Sequence, residues 1–277
     1  MIEFLASLDR NVAVGMAQAA VAIALCLGVV VLCRRFAVHV ERETVLSLAR
    51  GLVQMVAVGL VLALLLHGSL LIGVLILLAM TFAAAVTASR RAPEIKNPLM
   101  LSFYAIAAGS SVVIGVLFVT KTLTADIVVL VPVGSMIIAN AMNACAQAME
   151  RFRADITAHV GLIETGSALG ADPAATVAPY VQSAVYASLL PRLDMLKSLG
   201  FVWIPGVMAG MLVSGASPVY AGIFQFIIVA MILAASGIAG LIATVLMRVR
   251  AFSPAAQLTL RAAKPDKIAT PEPQSGR

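Results

Sequence analysis

Asn140 and Asn143 stand three residues apart inside an uncharged stretch that also holds Met136, Met142, Cys145, Gln147 and Met149. Residues three and four apart share a helix face, so Met136, Asn140 and Asn143 predict one stripe of thioether and amide groups. Soft sulfur and amide oxygen suit transition metals or polar solutes, which makes the stripe a candidate solute path. Amides also join helices to one another in lipid, which makes it candidate helix glue instead. Both readings stand at this point, and both apply to Gln54, a lone amide in another apolar run. A second cluster is Trp203-Ile204-Pro205-Gly206, with Gly210 one turn on. Pro205 removes a backbone donor and Gly206 permits unusual angles, so a hinge is expected there. Gly206 and Gly210 also form a small-xxx-small pair that would let two helices pack closely.

The chain lacks the residues of several other chemistries. No HExxH, GxSxG or GxxxxGK[ST] occurs. A hydrolase or protease, or a chain that binds ATP by its own P-loop, is therefore not expected. No catalytic residue and no cofactor is assigned, and the metal ligands, if any, stay open. The three cysteines, Cys26, Cys33 and Cys145, lie in or beside apolar runs and have no metal-finger or disulfide spacing.

The elements that must position these groups are long apolar helices. Val12–Cys33 is 22 residues without a charge, about 30 Å of helix, which matches a bilayer core. Similar runs predict spans over 12–33, 45–66, 70–89, 98–120, 127–149, 198–216 and 218–247. His67-Gly68-Ser69 and Gly215-Ala216-Ser217-Pro218 read as tight turns between antiparallel helices. The expected fold is all-α: a polytopic membrane helix bundle of about seven transmembrane helices, with short cytoplasmic coupling helices. Residues 1–252 are expected to form the membrane domain, with 150–197 as its cytoplasmic segment, and 253–277 a Pro- and Lys-rich cytoplasmic tail expected to be disordered. Only 12% of residues are charged, too few for a soluble domain of this length. The first run is read as a retained span rather than a cleaved signal.

Seventeen of the nineteen Lys and Arg residues fall on one side of this arrangement, Arg192 and Lys197 among them; Arg10 and Lys121 fall on the other. Basic loops stay in the cytoplasm, so the N-terminus is expected outside and the C-terminus inside, in the inner (plasma) membrane. The net charge of +6 follows from this bias and does not imply nucleic acid. No charge is expected at mid-membrane: Arg50, Asp126 and Lys197 lie at span ends. That argues against a proton- or sodium-coupled carrier, which needs such groups. The stretch 150–197 is too polar to span. It predicts a helix leaving the membrane at 149–153, a short helix over Glu164–Gly170, and a second starting at Asp172-Pro173 and running to Leu190.

The segment ETGSALGADPAATVAPYVQSAVYASLLP (164–191) resembles the cytoplasmic EAAxxxG loop of ABC importer permeases. Glu164, Thr165, Gly166 and Gly170 fit its spacing, and Leu190-Pro191 closes it. A longer stretch is similar to a narrower family, the FetB-like iron-export ABC permeases and their plant aluminium-sensitive relatives. The residues that carry this are ARGLVQMVAVGLVL (49–62), VPVGSMIIANAMNACAQAMERF (131–152), ETGSALGADP (164–173) and LPRLDMLKSLGFVWIPGVMAGMLVSGASPVYAGIFQF (190–226). Ala139 departs from an expected glycine and Met211 from an expected glutamine. The resemblance implies a non-catalytic transport subunit that docks a cytoplasmic ATP-binding subunit through Glu164–Gly170, pairs with a second copy, and exports iron or another metal. Alternatives from the same sequence are a permease for another solute, such as a nucleotide sugar, and a membrane scaffold that transports nothing.

Overall fold

The structure is a computed structural model that describes residues 2–36, 41–65, 70–123, 126–253 and 257–260, with side chains from residue 14 and not over 60–65. Among the described residues it is helical, with two isolated bridges and no strand. The predicted turn at 67–69 and the tail from 261 lie outside the described residues. The described residues form ten helices in order: α1 (Ile2–Arg35), α2 (Glu41–Leu65), α3 (Leu70–Ser89), α4 (Pro98–Val119), α5 (Ile127–Ala158), α6 (Val160–Ala168), α7 (Pro173–Thr176), α8 (Ala178–Ser198), α9 (Gly206–Val213) and α10 (Pro218–Arg250). Among the described residues, five are long and apolar enough to cross a membrane: α1 from Val14, α3, α4, α5 and α10.

The chain divides into two units, residues 1–67 and 68–277. The first holds α1 and α2, which pack on each other. Arg34 Nε lies 3.7 Å from Glu41 Oε1 at their joint, an exposed pair worth at most about 1 kcal/mol. Gln54 is exposed on α2.

The second unit is a bundle in which α5 and α10 pack on each other and each packs against α4 and α8, with α3 on α4 and α5. Its starts are legible in the sequence. Pro98, Pro173 and Pro218 each open a helix, where the missing N–H has no intrahelical partner to lose. Asp126 caps α5 by accepting from the Val128 N–H at 3.0 Å. The buried faces are built from small residues. On α10, Ala235, Ala239 and Ala243 recur every four residues with no exposure, and α4 sets Gly109 against them. A Cβ on Gly109 would lie 2.6 Å from the Ala235 carbonyl oxygen. Lipid tails give helices no hydrophobic reason to associate, so backbones that approach this closely supply the dispersion energy instead.

One end of this unit carries most of its basic residues. Arg153 pairs with Glu94 at 2.6 Å and Arg91 with Glu150 at 3.3 Å. Arg250 Nη1 donates to the Lys96 and Asn97 carbonyls. The chain after α10 turns back here: Thr259 N–H bonds the Ala251 carbonyl at 2.8 Å, and Leu258 and Leu260 are buried. Within the predicted tail, residues 257–260 are therefore packed.

Two expectations differ from what is found. First, 198–216 is not one helix. It is the end of α8, an extended stretch with a turn at Gly200 (φ +82), and the eight-residue α9. Leu199 and Trp203 form a bridge, and Pro205 begins α9 in an extended conformation. Second, the helix predicted from Asp172-Pro173 to Leu190 is broken at Val177 into the four-residue α7 and α8, and α8 continues through Pro191 to Ser198 and packs into the bundle. Pro191 lacks one backbone donor, but it sits on an exposed face where water or lipid headgroups can take the freed carbonyl.

Candidate functional site

The middle of α5 is the polar part of the bundle. Asn140 is half-buried, and its Nδ2 donates back to the Met136 carbonyl at 2.9 Å. The Asn140 carbonyl is left to accept two further bonds. One comes from Ser236 Oγ of α10 at 3.3 Å and one from Arg192 Nη2 of α8 at 3.2 Å. Arg192 Nη1 donates to Gln147 Oε1 at 3.1 Å. The arginine is thus held between two turns of α5.

Beside this junction lies a cavity of about 490 Å³, lined by Met136, Asn140, Met195, Trp203, Pro205, Gly206, Val207 and Ile232. Four of the sequence candidates meet here: Met136 and Asn140 from α5, Pro205 and Gly206 from the break before α9. The turn between α8 and α9, closed by the Leu199–Trp203 bridge, supplies Trp203 and Pro205 to one wall of this space. The walls offer two thioethers, one amide and one indole. Among the described residues, no three His, Cys, Asp or Glu side chains come together in a way that would hold a metal ion.

Other candidates are placed elsewhere. Asn143 is exposed, one face round α5 from Asn140, and does not line the cavity. Gly210 is also exposed. A Cβ at Gly206 or at Gly210 would meet nothing within 4 Å, so within the described residues the close helix contact expected of this pair is absent. It lies at Gly109 instead. Glu164 and Thr165 are exposed on α6 and Gly166 is half-buried. The helix starts at Val160 rather than at Glu164, so Glu164 sits in its second turn and not near its N-terminus. Gly166 faces Thr176 of α7, whose Cγ2 would be 3.3 Å from an added Cβ. Gly170 ends the helix with φ +85, and the Ala171 N–H returns to the Gly166 carbonyl at 3.0 Å.

Arg192, one of the cations that the sequence assigns to the basic side, is buried rather than solvated, with 6% exposure. Asn140 is the fourteenth residue of α5 and Gln147 the twenty-first, so the guanidinium lies about 20–30 Å along the helix, in the half nearer the basic end. An arginine at the centre of a span costs about 2.5–3.5 kcal/mol on insertion scales, and this off-centre position costs less. Among the described residues Arg192 is in no ion pair, and its Nε has no hydrogen-bond partner. The signal was present in the sequence: Ala184, Ser188 and Arg192 recur every four residues, and all three are buried on one face of α8. Gln225 was missed too. It is buried on α10, and both of its amide atoms lack partners. Each such atom costs about 1–3 kcal/mol when left unmade.

The family model for UPF0014, described as an uncharacterised protein family, matches residues 16–252. The chain is 29% identical over 248 residues to Protein ALUMINUM SENSITIVE 3 of Arabidopsis thaliana, covering 88% of this chain and 90% of that protein. It is 29% identical over 250 residues to the UPF0014 membrane protein STAR2 of Oryza sativa subsp. japonica, covering 90% and 88%. It is 26% identical over 225 residues to the probable iron export permease protein FetB of Escherichia coli (strain K12), covering 81% and 87%. No solved structure matches the chain. A bundle of apolar helices and a family match over most of its length lead to one conclusion: this is a multi-pass membrane protein that belongs to the UPF0014 family.

Proposed function

We propose that the chain is the membrane-spanning, non-catalytic subunit of an ATP-driven exporter, with the α5–α8–α9–α10 cavity on its solute path and α6 as the seat of a cytoplasmic ATPase. The observation that carries the reading is α6 itself. It is a nine-residue helix that buries only Ile163 and leaves Leu162 and Leu169 67% and 84% exposed. It follows directly on α5 at the basic end of the bundle. Leu162 on the helix and Leu169 at its C-cap are the apolar contacts that a docked ATPase would cover.

The solute in this reading is a metal, iron first, as the name of the Escherichia coli relative has it for that protein. Two copies of the chain would pair in the inner membrane with two ATPase subunits. Closure of the ATPases on ATP would move the two α6 helices and, through α5, the wall that carries Asn140. ATP would thereby bias two arrangements of one bundle.

The test is coupled ATP turnover. The partner is the product of a gene carrying GxxxxGK[ST], co-expressed and reconstituted with this chain. The double variant Leu162→Asp, Leu169→Asp is expected to lose permease-dependent stimulation of ATP hydrolysis by about tenfold or more, since two buried leucine contacts are worth a few kcal/mol. Gly170→Trp is expected to act the same way by straining the φ +85 turn that sets α6. Membrane insertion should be unchanged in both. Full co-purification with normal coupled turnover would place docking elsewhere.

Orientation has its own measurement. Within residues 68–277, Arg90, Arg91, Lys96, Arg151, Arg153, Arg248 and Arg250 fall at one end of the bundle and Lys121 at the other, which supports a cytoplasmic basic end. A reporter fused after Arg250 is expected to read cytoplasm, and one inserted at 121–126 the outside. Both on the same side would refute the odd number of crossings between them.

A further inference from the structure

We propose that the stacked rings of His159 and Tyr180 are the positioning contact through which α6 moves α8 as well as α5. Both helices that carry the cavity wall would then answer to the docked ATPase. The inference rests on the reading of α6 as the ATPase seat, and it names the residues that pass its motion on.

His159 belongs to two helices. It closes α5 as the C-cap and opens α6 as the N-cap, with φ −119 and ψ 24. Its N–H bonds back to the Asp155 and Ile156 carbonyls, and its own carbonyl accepts the Ile163 N–H at 3.1 Å. Backbone hydrogen bonds therefore run from α5 into α6 across the bend. By this joint, movement of α6 reaches α5 and no other helix.

The side chain of the same residue supplies a route to α8. His159 Nδ1 lies 2.8 Å from the Asp155 carbonyl oxygen. A carbonyl only accepts, so Nδ1 carries a proton and donates it, which fixes the plane of the ring. The ring so held stacks on Tyr180, with centroids 5.1 Å apart and planes 23° apart. That separation lies within the range at which aromatic pairs attract. Tyr180 stands in the first turn of α8, where its N–H returns to the Val177 carbonyl at 3.1 Å. One turn further along α8, Ser183 Oγ accepts from Arg151 Nε of α5 at 3.4 Å. That bond is long, and the same Nε also serves Asp155 at 3.1 Å. The ring pair is the firmer tie at this end. The chain itself joins α6 to α8 only through a turn at Gly170 (φ +85) and the four-residue α7, two bends that absorb motion which a direct ring contact passes on.

Position gives the contact its use. Arg151 meets Ser183 and Asn140 meets Arg192, so α5 and α8 run antiparallel. The His159–Tyr180 pair joins them at one end, and the cavity lies toward the other, with Met136 and Asn140 on α5 and Met195 on α8. From Tyr180 to Met195 is about 22 Å of helix, unbroken over that length. A displacement applied at the rings is thus delivered along α8 to the cavity wall.

The experiment reads each wall separately and needs no solute. The full-length chain is co-expressed with its ATPase and reconstituted in nanodiscs, in a Cys26→Ala, Cys33→Ala background. Cys145 is buried and stays, and a chain without a reporter supplies its background. Met195→Cys reports the α8 wall and Met136→Cys the α5 wall, each by its rate of maleimide labelling with and without ATP and vanadate. Both rates are expected to change on ATP when Tyr180 is intact. Tyr180→Leu should shrink the change at Met195→Cys about fivefold, the worth of one aromatic pair, and leave the change at Met136→Cys as it was. Tyr180→Phe, which keeps the ring, should restore it. Co-purification of the ATPase should hold throughout, because Leu162 and Leu169 are untouched.

A Tyr180→Leu chain that responds like wild type at Met195→Cys overturns the proposal. So does an equal loss at both walls, which would mean that the rings only stabilise the fold. If Tyr180→Leu does not fold, His159→Asn removes the other ring and is read in the same way. No ATP-dependent change at either wall with Tyr180 intact removes the permease reading and this inference with it. A change at both walls that survives Tyr180→Leu removes this inference alone.

Discussion

Gly109→Leu is expected to leave little folded protein. A Cβ there would sit 2.6 Å from the Ala235 carbonyl oxygen and 3.2 Å from both the Ala239 Cβ and its backbone nitrogen. Two of these three atoms are α10 backbone, which cannot rotate out of the way as a side-chain tip can. Overpacking commonly costs about 1–3 kcal/mol when side chains can adjust. Here α4 and α10 must separate, so a loss of about 3 kcal/mol or more is expected. The yield of monodisperse protein in detergent and the thermal midpoint followed by size-exclusion chromatography would report it. Gly206→Leu and Gly210→Leu are the controls, since neither site has an atom within 4 Å of an added Cβ. They should purify close to wild type. A Gly109→Leu variant that purifies equally well would refute the α4–α10 contact.

Asn140→Leu is expected to lower transport by tenfold or more while the protein still inserts and assembles. The substitution removes the only side-chain amide lining the cavity. It spares the Asn140 backbone carbonyl, which holds Arg192 and Ser236. The bond lost is an i−4 return to the Met136 carbonyl, worth about 0.5–1.5 kcal/mol net, and leucine is favoured in a span. Stability should therefore change little. Asn143→Leu is the matched comparison, with the same chemistry on an exposed face away from the cavity. ATP-driven uptake of radiolabelled iron into inverted vesicles, set against expression and oligomeric state, separates the two. Equal losses in both variants would mean that the cavity is not the path; a loss of assembly in Asn140→Leu would make the amide helix glue.

Much of the fold is legible in the residues taken one segment at a time. The apolar runs over 70–89, 98–120, 127–149 and 218–247 became α3, α4, α5 and α10 because in lipid every backbone polar group must bond within its own segment, and a long apolar run then has one solution. Asp172-Pro173 marked a helix start by the fixed φ of proline, and Pro98 and Pro218 open α4 and α10 in the same way. Met136, Asn140, Pro205 and Gly206 were singled out by residue type alone, and they meet in one cavity.

Tertiary structure decided what no local pattern carries. Asn140 and Asn143 share a stripe by spacing, yet only the neighbours of α5 determine that Asn140 faces α8 and α10 while Asn143 does not. Small residues occur in α4, α9 and α10 alike, and only the crossing of α4 over α10 makes Gly109 the point of contact and leaves Gly206 and Gly210 open. Arg192 reads as a cytoplasmic cation because basic residues after a polar loop belong there. Packing of α8 against α5 supplied two neutral acceptors and turned it inward. The sequence by itself determined which segments must be helices in a membrane, since backbone satisfaction and apolar length are local properties. Which faces meet, and hence where a charge is buried, is set by long-range packing between segments.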